Sequence, residues 1–373
     1  MRLFGDASSM VDDPFFAHAL ALAEKARGRT SPNPLVGCVV VSEGRIVGEG
    51  FHARAGTPHA EVVALAEAGT LARGAEVYVT LEPCAHTGRT APCTEALISS
   101  GVSRVVIGMA DPNPIAAGGA DRLRAAGVEV EFAPDPRPFA ELNEEWLKRT
   151  VTGVPFVTVK LGLTLDARTS LVAGRRAAIT GVSGAEVTRR LRERSAAVAV
   201  GVATVIADDP LLTVRSAENT PAPEQPLRLI LVRETPPPAT AALFADATAE
   251  TAIVATDTAN LGSAESLASG VVRYDATSGA TGMFRAIAGL GVDSVLVEAG
   301  PRLLTSLWTE RVLDRLVTVT AGGMGGLTAP PTYLGAADAV GEEVVSVLSP
   351  VETGIVGEVS VTVWRPDGSD LTI

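Results

Sequence analysis

Four residues have the types and spacing for hydrolytic metal chemistry: His59, Glu61, Cys84 and Cys93. One imidazole and two thiolates suit a borderline-soft zinc ion. Three protein ligands leave the fourth tetrahedral position for water, the mark of a catalytic rather than a structural zinc, and zinc lowers the pKa of such a water towards ~7. Glu61, two residues past the histidine, can enter the site without binding metal. It can take the water proton, protonate a ring nitrogen and then protonate departing ammonia. Nucleobase deaminases carry H-x-E followed by P-C-x-x-C. Here His59-Ala60-Glu61 and Pro83-Cys84 keep that pattern, but eight residues, not two, separate Cys84 from Cys93. The inserted loop holds His86, Gly88 and Arg89, which could contact a substrate phosphate. Blander readings stand beside this one: His-x-Glu arises by chance, and a lone buried cysteine is usually core filling. A closed four-ligand zinc would recruit His86 or His52 as well. Cys38, inside an apolar run, reads as a core residue.

Such residues need elements that bring them together. Residues 14–27 have helical spacing, with Phe15, Ala19, Leu22 and Ala26 on one face. Thr30-Ser31-Pro32-Asn33-Pro34 reads as a rigid turn, because each proline fixes φ and removes a donor. A buried strand over 35–41 and a hairpin partner over 45–50 follow, then a helix over 59–68 stopped at Gly69. A strand over 77–81 runs into Glu82-Pro83-Cys84, and the next helix starts near Pro92-Cys93. Helix openings favour thiolates, since their positive dipole ends lower thiol pKa. Strands over 102–108 and 128–132 and a helix over 120–126 complete a three-layer α/β domain. Pro134, Pro136 and Pro138 read as a linker, with a charged helix over 139–149 bridging the halves. A boundary near residue 150 then gives domains 1–150 and 151–373. The second half is expected to hold a helix near 183–194, a polar loop over 216–226, and strands at 156–161, 196–201, 227–232, 251–255, 271–274, 294–297, 316–320 and 358–364.

Composition narrows the function classes. The 373 residues suit two domains, and 46% hydrophobic with only 4% aromatic residues suits Val-rich strands under Ala-rich helices. A net charge of −12 repels phosphate backbones, and few aromatics leave few stacking platforms, so nucleic-acid binding is not expected. No apolar run approaches the ~20 residues that cross a bilayer, and residues 1–10 lack the blocks of a signal peptide. Three cysteines are too few for a disulfide framework, so a reducing cytoplasm is expected.

On these residues the chain resembles the bifunctional riboflavin-biosynthesis deaminase–reductases, the RibD family, over nearly its whole length. The first half carries the resemblance in Thr30-Ser31-Pro32-Asn33-Pro34-Leu35-Val36-Gly37-Cys38, Gly50-Phe51-His52, Ala55-Gly56-Thr57-Pro58-His59-Ala60-Glu61, and the run from Thr80 to Cys93. The eight-residue cysteine gap is characteristic of that family. The resemblance implies a cytidine-deaminase-like fold, zinc ligands His59, Cys84 and Cys93, and Glu61 as proton shuttle. It implies a 2,5-diamino-6-ribosylamino-4(3H)-pyrimidinone 5′-phosphate as substrate, contacted by Asn33, His52, His86, Arg89, Asp111 and Asn113. Each of these could equally be a turn or capping residue.

In the second half no strand–helix unit carries G-x-G-x-x-G, so the residues alone do not demand a dinucleotide. A polar, turn-rich segment runs from Thr204 through Asp208 to Arg215. Val295 to Pro301 reads as a strand entering a helix N-terminus, an anion site. Lys160-Leu161, Leu165-Asp166, Asp208-Asp209-Pro210 and Glu298-Ala299-Gly300-Pro301 resemble the family's reductase domain, which is similar to dihydrofolate reductase. That likeness implies NADPH at Gly162, Thr204, Asp208 and Gly300, and substrate at Arg192, Leu212, Arg215 and Glu298. Departures gather there. Arg176 and Ala178 stand for a usual Ser and Trp, Ala167 for a Gly, Val232-Arg233 for an Asp-Ser pair, and a Gly-rich stretch from Ala321 for a Pro-containing loop. A deaminase with a silent or merely structural second domain, a polynucleotide base deaminase and a non-enzymatic zinc module are the competing readings. A homo-oligomer without nucleic-acid or membrane partners is expected.

Overall fold

Apolar runs buried on both faces set the inner strands, and amphipathic helices cover them. The computed structural model describes residues 7–86, 92–169, 179–325 and 348–366. Contacts divide the chain into two units, Met1–Thr152 and Gly153–Ile373.

In chain order the first unit comprises α1 (Pro14–Glu24), β1 (Gly37–Ser42), β2 (Arg45–Phe51), α2 (Ala60–Ala68), β3 (Glu76–Val79), α3 (Cys93–Ser100), β4 (Arg104–Ile107), α4 (Gly119–Ala125), β5 (Glu129–Phe132), α5 (Arg137–Leu142) and α6 (Glu144–Thr152). Asp13 caps α1, accepting from the Phe15 and Phe16 amides at 2.8 and 3.1 Å. Among the described residues the sheet order is β2-β1-β3-β4-β5, with β1 antiparallel to both neighbours and β3, β4 and β5 parallel. Successive strand residues face opposite sides. Cys38, Val40, Val77, Val79, Val105 and Ile107 therefore pack with residues of α2, α3 and α4. Val39, Val41, Tyr78 and Val106 pack with α1, α5 and α6 on the other face. This topology has a chemical consequence: the start of β1 and the ends of β2, β3 and β4 all open at one edge of the sheet.

Two glycines let the helices close on that edge. A Cβ on Gly50 would stand 2.4 Å from the Ala60 carbonyl oxygen, so its absence lets the first turn of α2 lie on β2. A Cβ on Gly119 would stand 1.8 Å from the Pro83 carbonyl oxygen, at the start of α4.

One expectation is corrected. Residues 137–152 form two helices broken at Asn143 instead of one, and their apolar residues belong to the core of the first unit. Phe139, Leu142 and Leu147 are each at most 1% exposed. The break has a cause: the buried Asn143 amide accepts from the Leu35 amide at 2.8 Å and donates to the Leu35 carbonyl at 2.9 Å. The proline segment before it opens α5.

The second unit comprises β6 (Phe156–Leu163), α7 (Gly181–Glu193), β7 (Ala197–Gly201), α8 (Val202–Asp208), β8 (Leu227–Val232), α9 (Ala242–Ala245), β9 (Thr251–Thr256), β10 (Gly270–Tyr274), α10 (Gly279–Ala288), β11 (Ser294–Glu298), α11 (Pro301–Thr309), β12 (Arg315–Ala321), β13 (Leu348–Val356) and β14 (Val359–Pro366). Its described strands run β10-β9-β8-β7-β11-β6-β12-β14-β13. The pairings among β6 to β12 are all parallel, and β14 runs antiparallel to both β12 and β13. The expected strands are present. The sequence reading missed α8, α9, α10 and β13. Ser349, Pro350, Glu352, Thr353 and Gly354 deny β13 an apolar run, and as an edge strand it is exposed at alternate residues.

Ala167 has φ +55°, inside a turn where the Thr164 amide donates to the Arg168 carbonyl at 3.0 Å. A Cβ in the left-handed region costs roughly 1–2 kcal/mol, and glycine returns part of that as chain entropy. Ala167→Gly should raise unfolding stability by about 0.5–1 kcal/mol in denaturant titration; a loss of stability would show that the turn tolerates the methyl group without strain.

Candidate active sites of the two units

His59 sits at the N-cap of α2, Cys93 opens α3, and Cys84 lies on the segment leaving β3. Their donor atoms all lie within 4.8 Å of one another. His59 Nδ1 is 3.1 Å from Cys93 Sγ and 3.8 Å from Cys84 Sγ. Tetrahedral zinc at its usual bond lengths places nitrogen and sulfur about 3.5 Å apart, so this donor set fits the ion. The Cys93 amide donates to Cys84 Sγ at 3.4 Å. Hydrogen bonding from the Cys93 thiol, then from His59 and that amide, pulls the Cys84 thiol well below the usual range. The bond to Cys84, and more weakly the charge of Glu61, raise His59 against its burial.

Glu61 is 3% exposed, and burial pushes its carboxyl above the usual range. It shares a cavity of about 250 Å³ with His59, Cys84, Asn33, His52, His86, Asp111 and Asn113. Of the residues expected here, Arg89 lies outside the described residues. His52 accepts from Asn33 Nδ2 at 3.0 Å and approaches the Pro58 carbonyl oxygen through Nδ1 at 3.2 Å. Asn113 forms a local turn, its amide donating to Asp111 Oδ1 at 2.8 Å and its own side-chain oxygen accepting from Ile115. Burial first, then the neighbouring Glu82 and Cys84 charges, push Asp111 up to about 6.

The sequence reading missed Glu82 and Trp146, both on the cavity wall. Glu82 accepts from the Asp111 amide at 3.1 Å and the Ala120 amide at 2.9 Å, fastening the loop after β4. Its place between a strand end and Pro83-Cys84 was the available signal; Trp146 offered none beyond helical spacing.

In the second unit Gly162 lies near the end of β6, Thr204 in the first turn after β7, Glu298 at the end of β11 and Gly300 at the N-cap of α11. β7, β11 and β6 are adjacent and parallel, so these residues share one carboxyl edge. The β6-to-β7 and β11-to-β12 connections leave in opposite directions, the switch-point geometry at which open α/β sheets bind ligands. A Cβ on Gly300 would stand 4.0 Å from Thr204 Oγ1. Asp208 ends α8, half-buried.

Arg192 Nε donates to Glu298 Oε1 at 2.7 Å and Arg192 Nη1 donates to the Thr213 carbonyl at 2.9 Å. Leu212 is buried with φ +55°. Arg215 turns into its own loop, donating to Thr213 Oγ1 and the Asn219 carbonyl and reaching Asp246. Burial pushes Glu298 up, but Arg192 and then Lys160 outweigh it and hold the carboxyl below its usual range. Lys160, a lone charge in an apolar strand, was legible in sequence yet not chosen. Burial lowers it, against the pull of Glu298.

A depressed carboxyl stabilises above its unfolded pKa and loses that contribution as pH falls through the folded value. Glu298→Gln should therefore cost about 1–2 kcal/mol at neutral pH, a difference that shrinks on acidification below the ordinary glutamate range. Denaturant titrations at two pH values check this; a pH-independent difference would contradict it.

Of the family departures, Arg176 and Ala178 lie outside the described residues. Arg233 is exposed past the end of β8, its carbonyl accepting from Thr256 Oγ1 at 2.8 Å. The Gly-rich stretch is held by the turn after β6, the Gly325 amide donating to Asp166 Oδ1 at 2.8 Å.

A model described as the cytidine and deoxycytidylate deaminase zinc-binding region matches residues 10–109, which contain the His59–Cys84–Cys93 cluster. The RibD C-terminal domain matches residues 155–341. The riboflavin biosynthesis protein RibD of Aquifex aeolicus is 43% identical over 314 residues, 83% of this chain and 87% of that protein. The solved RibD of Acinetobacter baumannii (form 1) aligns with TM-score 0.85 at 34% identity, over 94% of this chain and 98% of its own. A diaminohydroxyphosphoribosylaminopyrimidine deaminase/5-amino-6-(5-phosphoribosylamino)uracil reductase of Thermotoga maritima aligns with TM-score 0.81 at 30% identity, over 96% and 98%. A cytidine-deaminase-like layer structure followed by a RibD reductase domain, joined in this order, makes the chain a member of the RibD family of riboflavin-biosynthesis proteins.

Proposed function

We propose that the first unit hydrolyses the ring amino group of 2,5-diamino-6-ribosylamino-4(3H)-pyrimidinone 5′-phosphate. The second then reduces the ribosyl group of 5-amino-6-(5-phosphoribosylamino)uracil to ribityl. Zinc and NADPH are the cofactors. The observation that carries the reading is the His59–Cys84–Cys93 cluster beside buried Glu61 in one cavity.

Bound zinc supplies a Lewis acid that makes water a nucleophile at neutral pH. His59, Cys84 and Cys93 hold it, and Glu61 takes the proton from the attacking water. Glu61 passes that proton to the ring nitrogen as the new C–O bond forms, then carries the proton left on the carbon-bound hydroxyl to the amino group as the C–N bond breaks, the carbonyl forms and ammonia leaves. Its burial favours this role, since a carboxyl raised towards neutrality both accepts and releases protons readily. Asn33, His86, Arg89, Asp111 and Asn113 are assigned to substrate contact, with Arg89 suited to the phosphate.

At the second site NADPH supplies the hydride. Gly162, Thr204, Asp208 and the N-terminus of α11 at Gly300 are assigned to the cofactor, and Arg192, Leu212, Arg215 and Glu298 to the sugar phosphate. The reading of this unit as a silent partner gains no support: the RibD C-terminal domain matches residues 155–341 of it.

No helix of the described residues is long and apolar enough to cross a membrane. A cytoplasmic setting belongs to the proposal, since zinc-binding thiols persist under reducing conditions. So does a homo-oligomer: Val351 and Ile355 stand 52% and 79% exposed on edge strand β13, and such edges are normally covered. Ammonia release from the pyrimidinone phosphate, lost on chelation and restored by zinc, tests the first half of the proposal. Release that survives complete removal of zinc would sink it.

A further inference from the structure

We infer that His52 is a positioning residue, which fixes the Asn33 amide so that its oxygen, and not its nitrogen, faces the deaminase cavity. The inference rests on the deaminase reading of that cavity and deepens it. His52 is 3% exposed, and both of its ring nitrogens are engaged within the protein. The partner of Nδ1 is the Pro58 carbonyl oxygen, 3.2 Å away, which can only accept. Nδ1 therefore carries a proton. A neutral imidazole holds one ring proton, so Nε2 is a bare acceptor. The Asn33 side-chain atom 3.0 Å from it must then be the donating NH₂. Both contacts agree on this single-proton form: the Pro58 carbonyl can only accept and the Asn33 NH₂ can only donate, and no carboxylate is among the ring's hydrogen-bond partners.

What remains of the Asn33 amide is Oδ1, which no described residue engages. Asn33 lines the cavity, on a turn whose shape is set by Pro32, Pro34 and the Asn33 amide donating to the Thr30 carbonyl at 2.7 Å. Rotating the amide by half a turn would place oxygen against the bare Nε2, two acceptors at hydrogen-bond distance. The opposite tautomer would free that rotation, but would set the bare Nδ1 against the Pro58 carbonyl. One backbone carbonyl thus determines the polarity of a cavity-facing group two residues removed from it in the chain of contacts. The same histidine packs edge-to-face on His59, with ring centroids 5.4 Å apart, and its carbonyl partner belongs to the residue preceding that metal ligand. The substrate class follows. The group facing Asn33 must be an N–H or O–H donor, in a cavity whose walls also carry the acceptors of Glu61, Glu82 and Asp111. An amino-substituted ring meets that demand, and a ring with a carbonyl at the same point is rejected.

The zinc-loaded full chain labelled with ¹⁵N-histidine tests this directly. Only four histidines are present, and His52 is assigned by the signals missing from His52→Gln. At neutral pH the expected spectrum has a protonated, pyrrole-type Nδ1 and a bare, pyridine-type Nε2. A proton on Nε2, or on both nitrogens, overturns the inference. For function, His52→Leu should raise KM for ammonia release about 10-fold or more while changing kcat less. Zinc content and NADPH oxidation on pre-deaminated substrate should be unchanged. His52→Gln, which keeps an acceptor oxygen for Asn33, should recover at least part of the loss. An unchanged KM in a folded, zinc-loaded His52→Leu protein contradicts the positioning role. Absence of ammonia release from the wild type would instead fault the deaminase reading, and the tautomer result would stand separately.

Discussion

Cys84→Ser loses zinc and ammonia release, while NADPH oxidation on substrate that has already been deaminated persists. A serine hydroxyl is a far weaker zinc ligand than a thiolate, and hydrogen bonds from His59 and the Cys93 amide favour the thiolate at Cys84. Even the partners behind metal ligands are worth 10–100-fold in metal affinity, so removing a ligand itself should cost at least about 100-fold. The first unit should stay folded, because Cys84 is half-buried on a loop while its core is carried by residues such as Leu97, Ile107 and Leu123. Zinc content by elemental analysis, ammonia release and NADPH absorbance separate the three quantities. Loss of both activities in a folded variant would show that the sites do not act independently.

Glu61→Gln should keep zinc and lose turnover. The amide matches the carboxylate in shape but cannot shuttle a proton, and a positioned general acid–base contributes about 10²–10⁴-fold. The loss should fall on kcat, with KM little changed, because Glu61 acts on protons in transit. Zinc content distinguishes this variant from Cys84→Ser. Wild-type turnover in Glu61→Gln would require another proton carrier, for which Asp111, raised to about 6 on the same cavity wall, is a candidate.

The metal centre was readable in sequence because its parts are local: His59 and Glu61 open one helix, and Cys84 and Cys93 flank another opening. What joins them is not local. That the start of β1 meets the ends of β2, β3 and β4 depends on strand order, which no single segment carries. Glu82 escaped notice because its partners, the Asp111 and Ala120 amides, lie 29 and 38 residues away. Asn143 escaped for the same reason, being fastened to Leu35 across 108 residues. The role of the charged helix in the first unit's core was not legible, because its apolar residues, Phe139, Leu142 and Leu147, gave no hint of which core they enter. In the second unit the strands were legible as apolar runs, whereas the polar edge strand β13 was not. His52 is the reverse case, a residue chosen as a contact whose two nitrogens are both committed inside the protein.

The most direct test of the account supplies the diaminopyrimidinone phosphate and NADPH to the zinc-loaded wild type and counts both products. The account predicts one ammonia released and one NADPH oxidised per substrate, with NADPH oxidation lagging behind ammonia. One ammonia per substrate with no NADPH consumed would contradict it, leaving the second unit without the reductase activity assigned to it.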